Sequence, residues 1–217
     1  MGQLFIRPYQ AADRAAVHQI AADTAFFGEP VEAFLESRAL FCQIFYAYYT
    51  DLEPEHGWVA CVDEEVVGFL MGCVDTARQP RLWARHILPR FLGNLVRGRY
   101  RLGKLTRRYI FNVARAGLSG ELPQVDLALY PGHLHLNVAA RWRGHGLGRR
   151  LLEAYLAQLS RLNVIGVHLG TTSRNEVAAR LYVRMGFREL AARPTCLWSH
   201  LVDQPVQNLR FGLRLKS

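Results

Sequence analysis

Between Arg141 and Leu152 the chain reads RWRGHGLGRRLL, with Gly144, Gly146 and Gly148 alternating with His145 and Leu147. Glycine loses more conformational freedom on ordering than any other residue, so three of them in five positions call for a compensating gain. An apolar/polar alternation precedes this stretch and a leucine-rich run follows it. A strand that ends in such a loop and opens a helix presents free peptide N–H groups at the helix start. There the helix dipole adds partial positive charge, and the missing β-carbons let a phosphate come close. The loop is not a Walker A motif, because no Gly-Lys-Ser/Thr follows. It is not a dinucleotide fingerprint either, since the third glycine falls at the wrong spacing. Taken alone, the glycines also fit an ordinary strand-to-helix turn.

Two further groups carry chemistry. His133, His135 and Asn137 lie on one face of a period-two stretch, with Leu134, Leu136 and Val138 on the other. A histidine of ordinary pKa, ~6.5, can take a proton from an amine, and the pair equally reads as satisfied polar neighbours. No third ligand completes a metal site, so none is expected. Asn175 and Tyr182 are two helical turns apart and share a face. Ser173 and Glu176 have the spacing of a capping box, and Tyr182 also suits a half-buried aromatic that anchors its helix.

These residues need a scaffold. The segment LFIR predicts a first strand, and Asp13 a cap for a helix carrying Val17 and Ile20. Residues 31–49 predict one largely packed helix, and GWVACV and VVGFLMGCV a hairpin around Asp63-Glu64-Glu65. Leu88, Phe91, Leu92 and Leu95, then Leu102, Leu105, Tyr109 and Val113, predict two amphipathic helices with a Gly/Arg corner. HLHLNV is the next strand, followed by the glycine loop, a helix from LLEAYLAQLSRL, a strand from VIGVHLG and a helix from NEVAARLYVRM. Two last strands are expected around Leu197–Val202 and Leu209–Leu215. Alternating strands and helices with hairpins at both ends imply a mixed sheet covered by helices, in one domain.

Half of the 217 residues are apolar and the net charge is +9. That charge is local. Residues 77–120 hold eleven Lys/Arg and no Asp or Glu, leaving the remaining residues with a net charge of −2. An anionic partner therefore concerns this segment, as acidic acceptor, nucleic acid or anionic membrane, against the plain reading of a solvated face. The four cysteines form no C-x-x-C pair, which suits a reducing compartment. No apolar run approaches a membrane span and no signal peptide is evident, so a cytoplasmic location is expected.

The spacing Arg143-x-x-Gly146-x-Gly148 resembles the coenzyme A pyrophosphate loop of the GCN5-related N-acetyltransferase (GNAT) superfamily, R/Q-x-x-G-x-G/A. LNVAARWRGHGLGRRLL resembles that family's fourth strand, loop and third helix, with Ala139 or Ala140 where many members have proline. NEVAARLYVRMGF resembles its next motif and FIRPYQAAD its opening. The match covers the first dozen residues and about 133–188. HLHLN and the long C-terminal hairpin resemble the acetyltransferase-like domains associated with O-GlcNAcases, some of which are thought not to catalyse transfer.

The resemblance implies an α/β (α+β) fold: a mixed, mostly antiparallel sheet of about seven strands, splayed between strands four and five and flanked by helices. Residues 1–217 would form one acetyltransferase domain, and about 77–130 a basic helical insertion where the family normally has a short turn. It implies an acetyl-CoA cosubstrate held by Leu136, Asn137, Val138, Arg143, Gly144, His145, Gly146, Leu147, Gly148, Arg149 and Asn175, with no metal. Tyr182 would stand near the sulfur and protonate the departing thiolate, and His135 is the candidate base on a strand without a carboxylate. The partner implied is an amine acceptor, acidic or phosphorylated where it meets the basic segment. No specific nucleic acid is expected, and a homodimer is left open. The missing carboxylate keeps a second reading in view, an acyl-CoA-binding module without turnover.

Overall fold

The structure is a computed structural model and describes residues 2–215. In chain order the elements are β1 (Leu4–Pro8), α1 (Arg14–Asp23), α2 (Arg38–Phe45), α3 (Ala47–Asp51), β2 (Gly57–Val62), β3 (Glu65–Cys73), α4 (Gln79–Leu82), α5 (Leu88–Val96), α6 (Lys104–Leu118), β4 (Gly132–Val138), α7 (Leu147–Arg161), β5 (Gly166–Thr172), α8 (Glu176–Arg184), β6 (Arg188–Thr195) and β7 (Val206–Arg214). Seven strands make one sheet in the order β1-β2-β3-β4-β5-β7-β6. Every neighbouring pair is antiparallel except β4–β5. That pair is parallel and short. Gly132 lies opposite Val167 and His133 opposite His168, and there the pairing stops. On its other edge β4 stays paired with β3 as far as Val138 opposite Gly68. The sheet therefore opens between its fourth and fifth strands.

Each face of the sheet buries its own core. Leu147, Leu151, Leu152, Tyr155 and Leu159 recur along one face of α7 and are at most 1% exposed. They pack with Leu134, Val167, Leu169 and Phe211 of the sheet and with Tyr182 of α8. The opposite core joins Val17, Phe34, Tyr48, Phe69 and Met71 to Tyr100 and Trp198, with Tyr109 of α6 packed against it. The basic α5–α6 hairpin thus docks on the α1–α3 side. Glu36 fixes it there by accepting the amides of Leu105 and Thr106, both at 2.8 Å, and the Thr106 hydroxyl.

Three expected elements come out differently. Residues 31–49 are not one helix. A short 3-10 turn (Val31–Ala33) is followed by α2, whose start is capped by Ser37 accepting from the Leu40 amide, and a break at Tyr46 precedes α3. Burial of Phe34 and Leu35 beside a Glu36 that reaches α6 sets the break. Residues 197–202 are a turn rather than a strand, and the C-terminal pair is β6–β7. Trp198 is held edge-on by Phe26, Phe27 and Phe34, and the Leu197 carbonyl accepts from Asn112 of α6 instead of joining a ladder. Finally, α8 is capped by Asn175, which accepts from the Ala178 amide, while the Ser173 hydroxyl accepts from Gln207 of β7; no Ser173–Glu176 capping box forms.

Candidate functional site

Backbone alternation decides what β4 offers to the gap. The Ala139 amide donates to the Val67 carbonyl at 2.9 Å, so the odd-numbered residues of β4 turn their main-chain groups toward β3. The peptide groups of Leu136 and Val138 therefore face the side where β5 has departed. Asn137 does not share this position. Its side chain donates to Thr24 at 2.7 Å and accepts from Tyr46 at 3.4 Å, which ties β4 to α1 and to the α2–α3 junction.

The glycine loop stands at the mouth of the gap. Gly144 and Gly146 have φ of +83° and +75°, the left-handed region, and nothing lies within 4 Å of where their β-carbons would be. The first loop-spanning bond of α7 runs from Arg150 N to Gly146 O. The amides of residues 144–149 find no acceptor among the described residues. Six peptide N–H groups without an acceptor at a helix start are suited to binding an anion. The arginines contribute unequally. Arg143 turns back, donating to the carbonyls of Val138 at 3.3 Å and Gly28 at 3.1 Å, so it braces the loop. Arg149 pairs with Glu153 one helical turn on.

On the other face of β4 the two histidines share one hydroxyl. Tyr49 Oη lies 2.7 Å from His133 Nε2 and 3.0 Å from His135 Nε2, and also accepts from Gln79 at 2.9 Å. Thr76 gives its only proton to the Pro131 carbonyl at 2.7 Å, so His133 Nδ1, also 2.7 Å away, is the donor to Thr76. His133 Nε2 then accepts from Tyr49, and His135 donates through Nε2. His135 Nδ1 is left as an acceptor without a partner among the described residues. Burial, reinforced by Arg210 and His168, lowers the His135 pKa to about 4. Burial and the neighbouring His135, His168 and Arg210 drive that of His133 down as well. Both rings are neutral at pH 7.

Tyr182 is 5% exposed, its ring 5.9 Å from Phe187 and 6.0 Å from Phe211. Its hydroxyl bonds to no described residue, and burial pushes its pKa up to about 12, so it is a proton donor throughout the neutral range. It lies in the same apolar layer as Leu134, Leu136 and Val138. Asn175 caps α8 through its carbonyl oxygen and keeps its amide NH2 free among the described residues. Among the described residues no group of three His, Cys, Asp or Glu is arranged to hold a metal ion. Tyr46, Tyr49, Gln79 and Arg210 were not read from the sequence as site residues. Their aromatic and charged types carry no motif, and they meet β4 only through the fold.

Known proteins share this fold. Residues 109–189 match the family model described as an acetyltransferase (GNAT) domain. The crystal structure of SsHAT is 30% identical and superposes with a TM-score of 0.76, covering 99% of this chain and 100% of that one. The Drosophila melanogaster polyamine N-acetyltransferase that forms N-acetylagmatine is 17% identical, with a TM-score of 0.63 over 98% of this chain and 100% of its own. The putative acetyltransferase yncA from Salmonella typhimurium, solved with acetyl-CoA, is 15% identical, with a TM-score of 0.61 over 99% of this chain and 95% of its own.

Proposed function

We propose that this chain, which belongs to the GCN5-related N-acetyltransferase family, moves an acetyl group from acetyl-CoA to an amine acceptor. The observation that carries the proposal is the junction of an open β4 edge with an unfilled loop of six free amides. A pyrophosphate fits those amides, and an extended amide-bearing arm fits the edge that β5 leaves bare.

The residues divide the work. The amides of Gly144, His145, Gly146, Leu147, Gly148 and Arg149 hold the pyrophosphate, and Leu136 and Val138 bond the arm as a strand would. A fixed N–H of this edge faces the acyl oxygen, which gains negative charge as the amine attacks; such preorganised donors are the largest single contribution in many acyl transfers. Asn137 and Arg143 position the strand and the loop, and the free NH2 of Asn175 borders the arm. Acetyl-CoA supplies the activated acyl group: the amine nitrogen bonds to the acyl carbon as the carbon–sulfur bond breaks. Tyr182 donates its phenolic proton to the leaving sulfur, while an amine N–H hydrogen-bonds to His135 Nδ1; the proton that nitrogen loses as the amide forms passes to solvent, and solvent returns one to Tyr182. A ring with pKa about 4 is a weak base, so the ammonium sheds its first proton to solvent before docking.

The acceptor differs from that of the Drosophila enzyme. A polyamine is a multiple cation, and here it would meet Arg210 and the exposed arginines of α5 and α6. We infer an acceptor with negative groups. We also infer one domain, with residues 77–130 as an insertion that borders the acceptor path, because α6 shares a core with α1–α3. Among the described residues no helix is long and apolar enough to cross a membrane. The four cysteines are free and three of them buried, which supports a reducing, cytoplasmic setting. A second reading, acyl-CoA binding without turnover, draws on the weak basicity of His135. Release of CoA thiol matched mole for mole by an acetylated amine, across a panel of amines, supports transfer. Binding of acetyl-CoA with no acetylated amine from any of them would leave the binding module.

A further inference from the structure

Among the described residues Arg210 is a half-buried cation without a counter-ion. In the β5–β7 ladder it lies opposite Gly170, and its guanidinium occupies the space above that glycine: a β-carbon at position 170 would come within 1.8 Å of Arg210 Nη1. Gly170 and His168 are two residues apart on β5 and so share a face of the sheet. The His168 ring lies 5.6 Å from that of His133, tilted 43° to it, and His133 is 6.0 Å from His135. The guanidinium is thereby delivered to the histidine face, on the strand that β4 leaves at the start of the gap.

Its hydrogen bonds are incomplete. Nε donates to the Pro123 carbonyl at 3.1 Å, while Nη1 and Nη2 find no acceptor among the described residues. None of the ion pairs among those residues includes Arg210. The groups sharing its face, His133, His135, His168, Tyr46, Tyr49 and Asn137, are all neutral. A half-buried guanidinium with two nitrogens unpaired and no acid beside it among the described residues is stabilised by a partner that brings negative charge. Nor do the charges elsewhere supply it, since the nearest basic segment has the same sign.

We propose that Arg210 binds a carboxylate of the acceptor, so that the amine to be acetylated belongs to an amino acid, a peptide or another carboxylate-bearing amine; this rests on the transferase reading above. The two free nitrogens of a planar guanidinium match the two oxygens of a carboxylate. A single guanidinium suits one negative charge better than a phosphate dianion. Gly170 is the clearance that lets the side chain reach the gap. Arg210 is thus the specificity residue, and His135 Nδ1 and the β4 edge act on the amine it has placed.

The test is a titration of the CoA-loaded protein with matched pairs of amino acids and their carboxamides, read by the arginine Nε–H resonances and by calorimetry. A charge-assisted pair predicts that carboxylates bind at least about tenfold more tightly than carboxamides and shift the Arg210 Nε–H signal. Arg210→Met should erase the preference and leave CoA affinity unchanged. Gly170→Ala keeps the arginine but displaces it, and Arg210→Lys keeps the charge but loses the fork. Both should weaken the preference, and they decide the matter if Arg210→Met does not fold. Equal binding of the two members of each pair overturns the proposal, as does a preference that survives in a folded Arg210→Met or, if that variant does not fold, undiminished in both of the others. The same pairs offered with acetyl-CoA separate the two readings. Carboxylate-dependent binding without acetyl transfer removes the transferase and keeps the Arg210 site; equal acetylation of both members removes the Arg210 site and keeps the transferase.

Discussion

His135 Nε2 lies 3.0 Å from the Tyr49 hydroxyl, a contact that holds the ring in the tautomer with Nδ1 unprotonated and without a partner among the described residues. The same burial that fixes the ring lowers its pKa from 6.5 to about 4. In the unfolded chain the ring takes up a proton near pH 6.5 and in the native state only near pH 4. Stability is therefore full above pH 6.5 and falls as the pH drops between those values. His18, also lowered to about 4 by burial, acts in the same direction. His135→Asn keeps a donor to Tyr49 and should lose about 1–3 kcal/mol less than the parent between pH 7 and pH 4, measured by denaturant unfolding. An unchanged pH dependence would show that the ring is solvated.

Glu36 holds the first turn of α6 from 70 residues away in sequence. Burial works against its charge, but the Thr106 hydroxyl and the amides of Thr106 and Leu105 outweigh this and bring its pKa down to about 2. Glu36→Ala should cost about 1–3 kcal/mol and speed tryptic cleavage at Arg97, Arg99 and Arg101, which are exposed. Equal cleavage rates would mean that the apolar contacts of Tyr100 and Tyr109 hold the hairpin unaided.

Acetyl-CoA or CoA at about a hundredfold above Kd should stabilise the protein by about 2.7 kcal/mol, a rise of several degrees in Tm. Gly146→Asp combined with Gly148→Asp places two carboxylates at the amide cradle, one of them on backbone of positive φ, and should abolish the shift. A retained shift moves the phosphate site elsewhere.

Tyr182→Phe removes a hydroxyl that bonds to no described residue and leaves the ring against Phe187 and Phe211. Tm and CoA affinity should stay put, while kcat falls about 10²-fold, the scale of a positioned general acid. A stability loss of several kcal/mol would assign the hydroxyl to structure, and an undiminished kcat would assign the proton to water.

What the sequence made legible was local. The alternation of HLHLNV, the glycines after it and the leucine spacing of α7 each depend on neighbours within a few residues, and the strand, loop and helix stand where those patterns put them. Tyr49, Gln79 and Arg210 join the site across 30 to more than 80 residues of chain, through contacts that no short pattern encodes. The strand expected at Leu197–Val202 failed for a related reason: a run with strand-like composition gave its backbone to α6 and its tryptophan to an aromatic cluster. The sequence of the histidine pair fits a base and a structural pair alike, and Tyr49, invisible until the fold is formed, fixes their tautomers.

The most direct measurement is backbone amide exchange, followed by NMR, with and without acetyl-CoA. If the gap between β4 and β5 seats the cosubstrate, the amides of Leu136, Val138 and residues 144–149 gain protection together, while those of α5 and α6 do not change. Protection confined to α5 and α6, or none along β4 at saturating acetyl-CoA, would contradict it.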